Sequence, residues 1–324
     1  MIITVTLNTA IDKTLSVPNF RLGRRHRTVE QTTMPGGKGV NVARVLKSLG
    51  APVIATGLAG GPTGTRIVEQ LTQLSVLSDF VRIREESRTN TAVIDPTTGE
   101  QTEINERGPR VSEQEVELFV DKLLYLAKGA SMCVFAGSLP RDVDADVYSR
   151  LIRELKRLGV TTIVDTDGDP LRRAVRADPD VISPNELEAE ELVGHEFNDD
   201  EDRLLAVKEM TELGAGEAIM TMPDGVFARM APRDVGGDSC LYRVRVEEGM
   251  IEPRATVGSG DAFLAGFVAA RYSDRPIPEC LAYGVACGAE STQHLGAGLI
   301  DPDRVARLVA DVRVEERELP AEVS

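Results

Sequence analysis

The chain has 324 residues, enough for one large domain or for a main body with a smaller appendage. Hydrophobic residues make up 42% and charged residues 27%, a balance that excludes fibrous and disordered classes. With 37 Lys and Arg against 52 Asp and Glu, the formal net charge is −15. A surface this acidic repels polyanions, so we expect no nucleic-acid or membrane partner.

Cysteine usage and the start of the chain bear on its compartment. Four scattered cysteines without a Cys-x-x-Cys pair favour reduced, buried thiols over a disulfide framework. Residues 1–7 lack the basic region and cleavage site of a signal peptide, and no apolar run approaches the ~18 residues that span a bilayer. These features predict a cytoplasmic protein.

Short apolar, β-branched runs alternate with amphipathic helical patterns along the chain. The runs predict buried parallel strands at residues 2–7, 53–58, 132–136, 161–165, 181–183 and 217–221. Helices are predicted at about 40–49, from a capping box of Ser112 and Glu115 to about 129, and at 145–158, 201–213, 260–272 and 277–293. The alternation predicts an α/β fold with helices on both faces of a mostly parallel sheet, and ligands bind at the carboxyl ends of such strands.

Two segments, residues 15–34 and 89–106, interrupt this alternation because they lack a helical period. The second predicts a hairpin with strands at 91–94 and 101–105 and a polar turn at 95–99. Together the segments predict a small accessory sheet, and two surface loops are the alternative.

The first glycine motif, residues 35–43 (PGGKGVNVA), leads directly into the first amphipathic helix. Glycines allow close backbone approach to a ligand, and a helix N-terminus presents unpaired N–H groups with partial positive charge. The motif predicts a site for an anionic or polyhydroxylated ligand, with a plain tight turn as the alternative. It lacks the spacing of a Walker A loop.

The second glycine motif, residues 256–263 (TVGSGDAF), opens another helix. Gly258, Ser259 and Gly260 can line an anion hole of backbone N–H groups, suited to a phosphoryl group in transfer. Asp261 is then either an acid placed favourably against the helix dipole or a base that accepts a hydroxyl proton. The residues alone leave both interpretations open.

A local excess of arginine stands out against the acidic average. Four arginines lie within seven residues: Arg21, Arg24, Arg25 and Arg27. They form either a solvated basic stretch or, with Lys38 and Arg88, a pocket for a phosphorylated sugar.

With its two glycine motifs in this order, the chain resembles the PfkB family of carbohydrate kinases within the ribokinase-like superfamily along nearly its whole length. Residues 36–50 and 256–261 carry its two signatures, and residues 185–188 (NELE) carry the Asn-x-x-Glu motif between them. The resemblance implies a three-layer α/β fold with a mostly parallel central sheet and a small β-sheet lid. It also implies a single kinase domain over residues 1–324, with lid segments at about 12–35 and 88–106.

The resemblance further implies roles for individual residues. Asp261 would be the catalytic base beside an anion hole of Gly258, Ser259 and Gly260, and Glu188 would organise Mg²⁺ through water. The residues implied in ATP binding are Asn185, Thr221, Gly225, Thr256, Gly258, Gly260 and His294. Asn185 is alternatively an N-cap, and His294 alternatively a plain helix-end histidine.

Residues 6–12, 60–64, 88–91, 102–105 and 137–140 are similar to the branch of the family that phosphorylates already phosphorylated hexoses. The implied sugar-phosphate residues are Asp12, Arg25, Arg27, Gly36, Gly37, Lys38, Asn41, Arg88 and Asn90. The implied reaction is ATP-dependent conversion of fructose 1-phosphate to fructose 1,6-bisphosphate. Tagatose 6-phosphate or fructose 6-phosphate is the alternative acceptor, and a catalytically silent sugar-phosphate sensor is a more remote alternative.

The chain also departs from the pattern of that branch. Thr9 and Ala10 replace its usual Pro-Ser pair, Ser183 stands where a lysine is common, and the loop at 221–225 is about one residue shorter. By resemblance, a homodimer through the lid is expected. The acidic end of the chain, residues 315–324, is expected to be solvated and mobile.

Overall fold

The computed structural model describes residues 1–231, 239–247, 249, 251 and 253–318, in which the larger of two sheets has ten strands. Seven neighbours run parallel in the order β5 (Leu77–Ile83), β4 (Val53–Gly60), β1 (Ile2–Thr6), β8 (Met132–Ala136), β9 (Thr161–Asp165), β10 (Val181–Ile182) and β11 (Glu217–Met222). Three antiparallel strands continue the sheet: β12 (Gly225–Met230), β13 (Cys240–Val246) and β14 (Val312–Arg317). All six predicted strands lie in the parallel part.

Helices cover both faces of this sheet. One face carries α3 (Glu113–Ala127), α4 (Val147–Arg157), α5 (Gly168–Val175), α6 (Glu186–Val193) and α7 (Asp200–Glu212). The other carries α1 (Lys38–Ser48), α2 (Gly61–Gln73), α8 (Ser259–Tyr272), α9 (Ile277–Ser291) and, against α9, α10 (Pro302–Leu308). Side chains alternate along the strands, so that Ile3 and Val5 pack on the first face and Ile2 on the second. The predicted three-layer arrangement is confirmed.

The helix boundaries follow the local signals in the sequence closely. The Ser112 side chain accepts a hydrogen bond from the amide of Glu115, whose carboxylate accepts one from the amide of Ser112, so the predicted capping box starts α3. The other predicted helices begin and end within about two residues of α1, α4, α7, α8 and α9. Local capping and periodicity therefore account for these elements.

The second sheet has four strands among the described residues, in the order β3 (Glu30–Gly36), β2 (Ala10–Ser16), β6 (Arg88–Ile94) and β7 (Gln101–Asn105). Strands β6 and β7 form the predicted hairpin, and Asp95 accepts the amide of Thr97 in its turn. The accessory sheet is therefore present, and the alternative of two surface loops is wrong. Strand β2 begins at Ala10, five residues before the first predicted segment, and its first two residues, Ala10 and Ile11, are buried.

Two further expectations can be compared with the structure. The expectation of a solvated and mobile tail is wrong in that residues 315–317 pair with β13 as part of β14, although Glu316 and Arg317 are exposed; residues 319–324 lie outside the described residues. Among the described residues, the structure has no helix with the length and apolar character needed to cross a membrane.

Candidate active site

A cavity of about 1150 Å³ lies between the accessory sheet and the carboxyl edge of the main sheet, where α/β folds bind ligands. Most residues predicted for a site line this one cavity. They are Asp12, Gly37, Lys38, Asn41, Arg88, Asn90, Asn185, Glu188, Thr221, Gly225, Thr256, Gly258, Ser259, Gly260 and Asp261. Gly36 lies just behind the wall, packed against Asp12.

Two helices direct their N-termini into the cavity. Helix α1 starts after Gly37 and α8 after Gly258, and both glycines have positive φ values, 97° and 79°. No side chain of the described residues caps either helix, in contrast to α3 and α6. The first amide groups of α1, and those of Gly260 and Asp261 in α8, therefore remain available to an anionic ligand, whereas the amide of Ser259 donates to the carbonyl oxygen of Thr256 at 3.2 Å.

Asp261 lies in the first turn of α8 and is 5% exposed. Its Oδ2 accepts a hydrogen bond of 2.8 Å from Nδ2 of Asn41 in α1, so the two glycine motifs meet at this carboxylate. Burial, together with the charge of Asp165, raises the pKa of Asp261 to about 7, although Lys38 and Asn41 act in the opposite direction. A carboxylate with such a pKa can exchange protons near neutral pH.

Lys38 forms ion pairs with two carboxylates that line the cavity. Its Nζ lies 2.7 Å from Oδ1 of Asp165, at the end of β9, and 3.6 Å from Oε1 of Glu188, at the start of α6. Burial lowers the pKa of Lys38, but Asp165, Glu188 and Asp261 raise it by more, so the net shift is upward. Lys38 is therefore a fixed positive charge among carboxylates.

Asp12 and Asn90 form a polar pair on the accessory-sheet side, where Nδ2 of Asn90 donates to Oδ1 of Asp12 at 2.9 Å. Burial raises the pKa of Asp12, while the bond from Asn90 and the charge of Arg88 oppose this rise. Gly36 packs so closely that a Cβ there would lie 2.0 Å from Oδ2 of Asp12. The Arg88 side chain is held by the backbone carbonyls of Asn8, at 3.2 Å from Nε, and of Glu106, at 2.9 Å from Nη1.

The opposite side of the cavity is built around α6. Asn185 and Glu188 form a capping box: Oδ1 of Asn185 accepts the amide of Glu188, and Oε2 of Glu188 accepts the amide of Asn185. Asn185 is therefore an N-cap, and Oε1 of Glu188 is left facing Lys38. Thr221, at the end of β11, donates its amide to the carbonyl of Pro184 and so lies beside this helix start. Gly225 follows a tight turn into β12.

Besides Gly36, three predicted residues do not line the cavity within one chain. Arg25 and Arg27 lie in the exposed loop between β2 and β3. His294 follows α9, and its Nε2 lies 2.9 Å from Oε1 of the buried Glu290, outside the cavity wall. The residues of α9 that do line the cavity are Val285, Gly288 and Ala289.

The sequence interpretation missed Asp165 and Asp167, which line the cavity after β9. The available signal was an acidic residue at the carboxyl end of a predicted parallel strand. It also missed Arg44, a buried arginine of α1 that no local pattern marks as functional.

The carboxylates fit a magnesium ion that arrives with a nucleotide. The described residues contain no group of three or more His, Cys, Asp or Glu side chains placed to hold a metal by themselves. Mg²⁺ on nucleotides typically takes one or two carboxylates, with phosphates and waters completing its coordination. Oε1 of Glu188, which faces the cavity, is a donor of the required kind.

Comparison with known proteins identifies the family. A family model described as pfkB family carbohydrate kinase matches residues 4–304, and the chain belongs to this family of sugar kinases. A 1-phosphofructokinase from Borreliella burgdorferi is 32% identical over 317 residues, which cover 98% of this chain and 99% of the relative.

Solved structures share the fold over almost the whole chain. A crystal structure from Thermotoga maritima, described as a possible 1-phosphofructokinase, has a TM-score of 0.88 and 25% identity and covers 98% of this chain and 100% of its own. Phosphofructokinase-2 from Escherichia coli, in complex with substrates and products, has a TM-score of 0.85 and 27% identity and covers 95% and 98%. The predicted ribokinase-like fold is confirmed.

Proposed function

We propose that this chain is an ATP-dependent kinase that phosphorylates fructose 1-phosphate to fructose 1,6-bisphosphate. The observation that carries the proposal is the position of Asp261, a buried carboxylate in the first turn of a helix whose uncapped N-terminus faces the cavity. A base beside an anion hole suits deprotonation of a hydroxyl next to a phosphoryl group. Family membership supports a sugar as the acceptor.

In the proposed reaction, Asp261 accepts the proton of a sugar hydroxyl while the hydroxyl oxygen forms a bond to the γ-phosphorus of ATP. The bond from that phosphorus to the bridging oxygen breaks, and ADP leaves with the electron pair. Backbone N–H groups at Gly258 and Gly260 stabilise the charge on the transferring group, while the Ser259 N–H, which donates to the carbonyl of Thr256, holds the turn that presents them. Lys38, held between Asp165 and Glu188, adds a positive charge that needs no reorganisation.

The sugar phosphate is proposed to bind under the accessory sheet. Asp12 and Asn90 would hold sugar hydroxyls, and Gly37 and Asn41 line the same part of the cavity. Arg88 uses Nε and Nη1 to bind backbone carbonyls, which fixes the guanidinium while its remaining N–H groups serve the sugar phosphate. Arg25 and Arg27 remain predictions that nothing in a single chain supports.

ATP is proposed to lie along Asn185, Thr221, Gly225 and Thr256, with Mg²⁺ held through water by Glu188. When bound, the ion would neutralise charge on the β- and γ-phosphates. The protein residues orient the nucleotide and, with the accessory sheet acting as a lid, exclude water from the phosphoryl group.

A homodimer through the lid is also proposed. Leu22 is 90%, Val29 68% and Ile104 62% exposed, and all three belong to the accessory sheet or its loop. Leu22 and Val29 lie in the loop between β2 and β3 and Ile104 in β7, and exposed large apolar side chains of this kind favour burial against a second copy.

One pocket of this kind serves several ketohexose phosphates, so the acceptor is chosen from the comparisons with known proteins. Fructose 1-phosphate is favoured by the 1-phosphofructokinase relative, which matches nearly the full chain. Fructose 6-phosphate is the second candidate, favoured by the similarity to phosphofructokinase-2, and tagatose 6-phosphate the third. A silent sensor would keep the pocket but would not need the buried Asp261.

The test measures ADP release with Mg-ATP and, separately, fructose 1-phosphate, fructose 6-phosphate, tagatose 6-phosphate and unphosphorylated fructose. We expect kcat/KM for fructose 1-phosphate to exceed the others at least tenfold, about 1.4 kcal/mol in transition-state binding. A preference for another sugar phosphate would change the acceptor. Binding of sugar phosphate without any turnover would favour the sensor.

The role of Asp261 is tested by Asp261→Asn, which should lower kcat about 10²- to 10⁴-fold. Asp169→Asn is the matched control, because Asp169 is also an acid in the first turn of a helix, α5, but lies outside the cavity. It should keep the wild-type kcat. If Asp261→Asn retains more than about a tenth of kcat, Asp261 is not the base.

A further inference from the structure

Arg44 is a buried arginine whose side-chain contacts lie on two separate segments, strand β3 of the accessory sheet and the loop at 295–298. It belongs to α1 and is 4% exposed. Its Nη1 donates to the carbonyl oxygens of Pro35, at 3.3 Å, and of Ala297, at 3.0 Å. Its Nη2 lies 3.3 Å from Sδ of Met34. The guanidinium does not line the cavity, so it cannot touch a ligand there directly.

On the lid side, the partners of Arg44 are next to the proposed sugar site. Met34 and Pro35 are residues of β3, and Gly36 follows them. Gly36 packs against the Asp12 carboxylate with no room for a side chain. A shift of the Asp12 carboxylate toward Gly36 on binding a sugar would therefore displace the backbone that Arg44 holds.

On the opposite side, Ala297 packs against the second glycine motif. A Cβ at Gly258 would lie 2.5 Å from Cβ and 2.9 Å from Cα of Ala297. Gly258 is the N-cap of α8, whose first amides form the proposed anion hole. The position of Ala297 therefore limits where this helix N-terminus can lie.

The loop at 295–298 has a second, weaker contact with the lid, since Oγ1 of Thr32 lies 3.5 Å from the carbonyl oxygen of Leu295. Burial lowers the pKa of Arg44 to about 10, and the charge of Asp12 opposes this, so the guanidinium is charged at neutral pH. A charged donor strengthens bonds to carbonyl oxygens in a buried site.

We propose that Arg44 is a positioning residue that couples occupancy of the sugar site to the anion hole, through Pro35 on the lid and Ala297 against Gly258. This inference rests on the proposed function. It gives a role to a buried charge that lies between a lid strand and a helix N-terminus and does not line the ligand cavity. Its consequence is that the sugar phosphate and the nucleotide raise each other's affinity.

The experiment measures the dissociation constant of fructose 1-phosphate by calorimetry, with and without saturating Mg²⁺ and the non-hydrolysable β,γ-imido analogue of ATP. The ratio of the two constants is the coupling factor, and it is the same whichever ligand binds first. We expect at least fivefold for the wild type. In Arg44→Lys it should fall below twofold, because an ammonium cannot hold the carbonyl oxygens of Pro35 and Ala297 in the geometry of a planar fork.

The matched control is Arg271→Lys. Arg271 lies at the far end of α8, pairs with Glu217 at 2.9 Å and does not line the cavity. It should keep the wild-type coupling factor even if its melting temperature falls. A general loss of packing would lower the stability of both Arg44→Lys and Arg271→Lys. The proposed role of Arg44 lowers the coupling factor in Arg44→Lys alone.

A wild-type coupling factor near one, or an unchanged factor in folded Arg44→Lys, would overturn the proposal. Should Arg44→Lys fail to fold, Ala297→Gly decides: it removes the Cβ that packs against Gly258 on the proposed route and should lower the factor at least twofold, and an unchanged factor refutes the coupling. If the wild type turns over a sugar phosphate but the coupling factor of the Arg44 variant is unchanged, only this inference is refuted. If no sugar is turned over, both the proposed function and this inference are refuted.

Discussion

Replacing Gly258 by alanine should damage the protein in a way that replacing Gly260, two residues away, does not. Gly258 has a φ of 79°, and a Cβ there would meet Cβ of Ala297 at 2.5 Å. Ordinary carbon contacts begin near 3.4 Å, so the backbone must move by about 1 Å. At Gly260 the φ is not positive, and a Cβ would meet nothing within 4 Å.

The magnitude follows from two costs at Gly258. A left-handed φ costs an L-residue about 1–2 kcal/mol, and overpacking typically costs about 1–3 kcal/mol. The sum, about 2–5 kcal/mol, corresponds to a melting temperature lower by roughly 4–10 °C. Gly260→Ala should be neutral or more stable by up to about 1 kcal/mol, because alanine is the better helix former.

Activity should fall in both variants for different reasons. Moving the amides of the anion hole should cost about 10²–10³ in kcat for Gly258→Ala. The methyl group of Gly260→Ala points into ligand space in the cavity and should obstruct the phosphoryl group without loss of stability. Thermal melts and ADP release measure both effects. A Gly258→Ala protein that melts within 1 °C of the wild type would refute the reasoning.

Two further predictions concern the pKa of Asp261. Because burial raises this pKa to about 7, kcat/KM should fall tenfold per pH unit below about pH 7. Asn41→Leu removes a hydrogen bond that lowers the pKa, so it should move the acidic limb of the pH profile to higher pH. Substrate phosphates titrate equally in both proteins, so an unmoved limb would contradict the assignment. The folded-state pKa also lies above the unfolded value near 3.8, so the folded chain binds more protons between about pH 4 and 7 and loses stability as pH rises through that window. Asp261→Asn should therefore melt higher than the wild type at pH 8, with the advantage shrinking toward pH 4, and equal melting temperatures at pH 8 would argue against a buried, penalised carboxylate.

Much of the fold could be predicted from the sequence because its signals are local. Apolar runs predict the central parallel strands, and capping residues predict the starts of α3 and α6. The predicted strands omitted β5, β12, β13 and β14, of which β5 and β14 form the two edges of the main sheet. Edge strands are partly exposed, so polar residues interrupt the apolar run that identifies a central strand.

The sequence alone determined which residues start the two helices of the site, since a glycine N-cap and a first-turn acid depend on neighbours within four residues. The tertiary structure alone decided that Lys38 meets Asp165, that Asp261 is buried enough to raise its pKa, and that Arg44 joins the lid to Ala297. It also decided that His294 lies outside the cavity wall, because the packing of α9 and not the neighbouring sequence sets which side chains reach the cavity. The physical reason is distance along the chain: periodicity and capping encode contacts between near neighbours, whereas these contacts join residues up to 253 positions apart, and strand order brings them together.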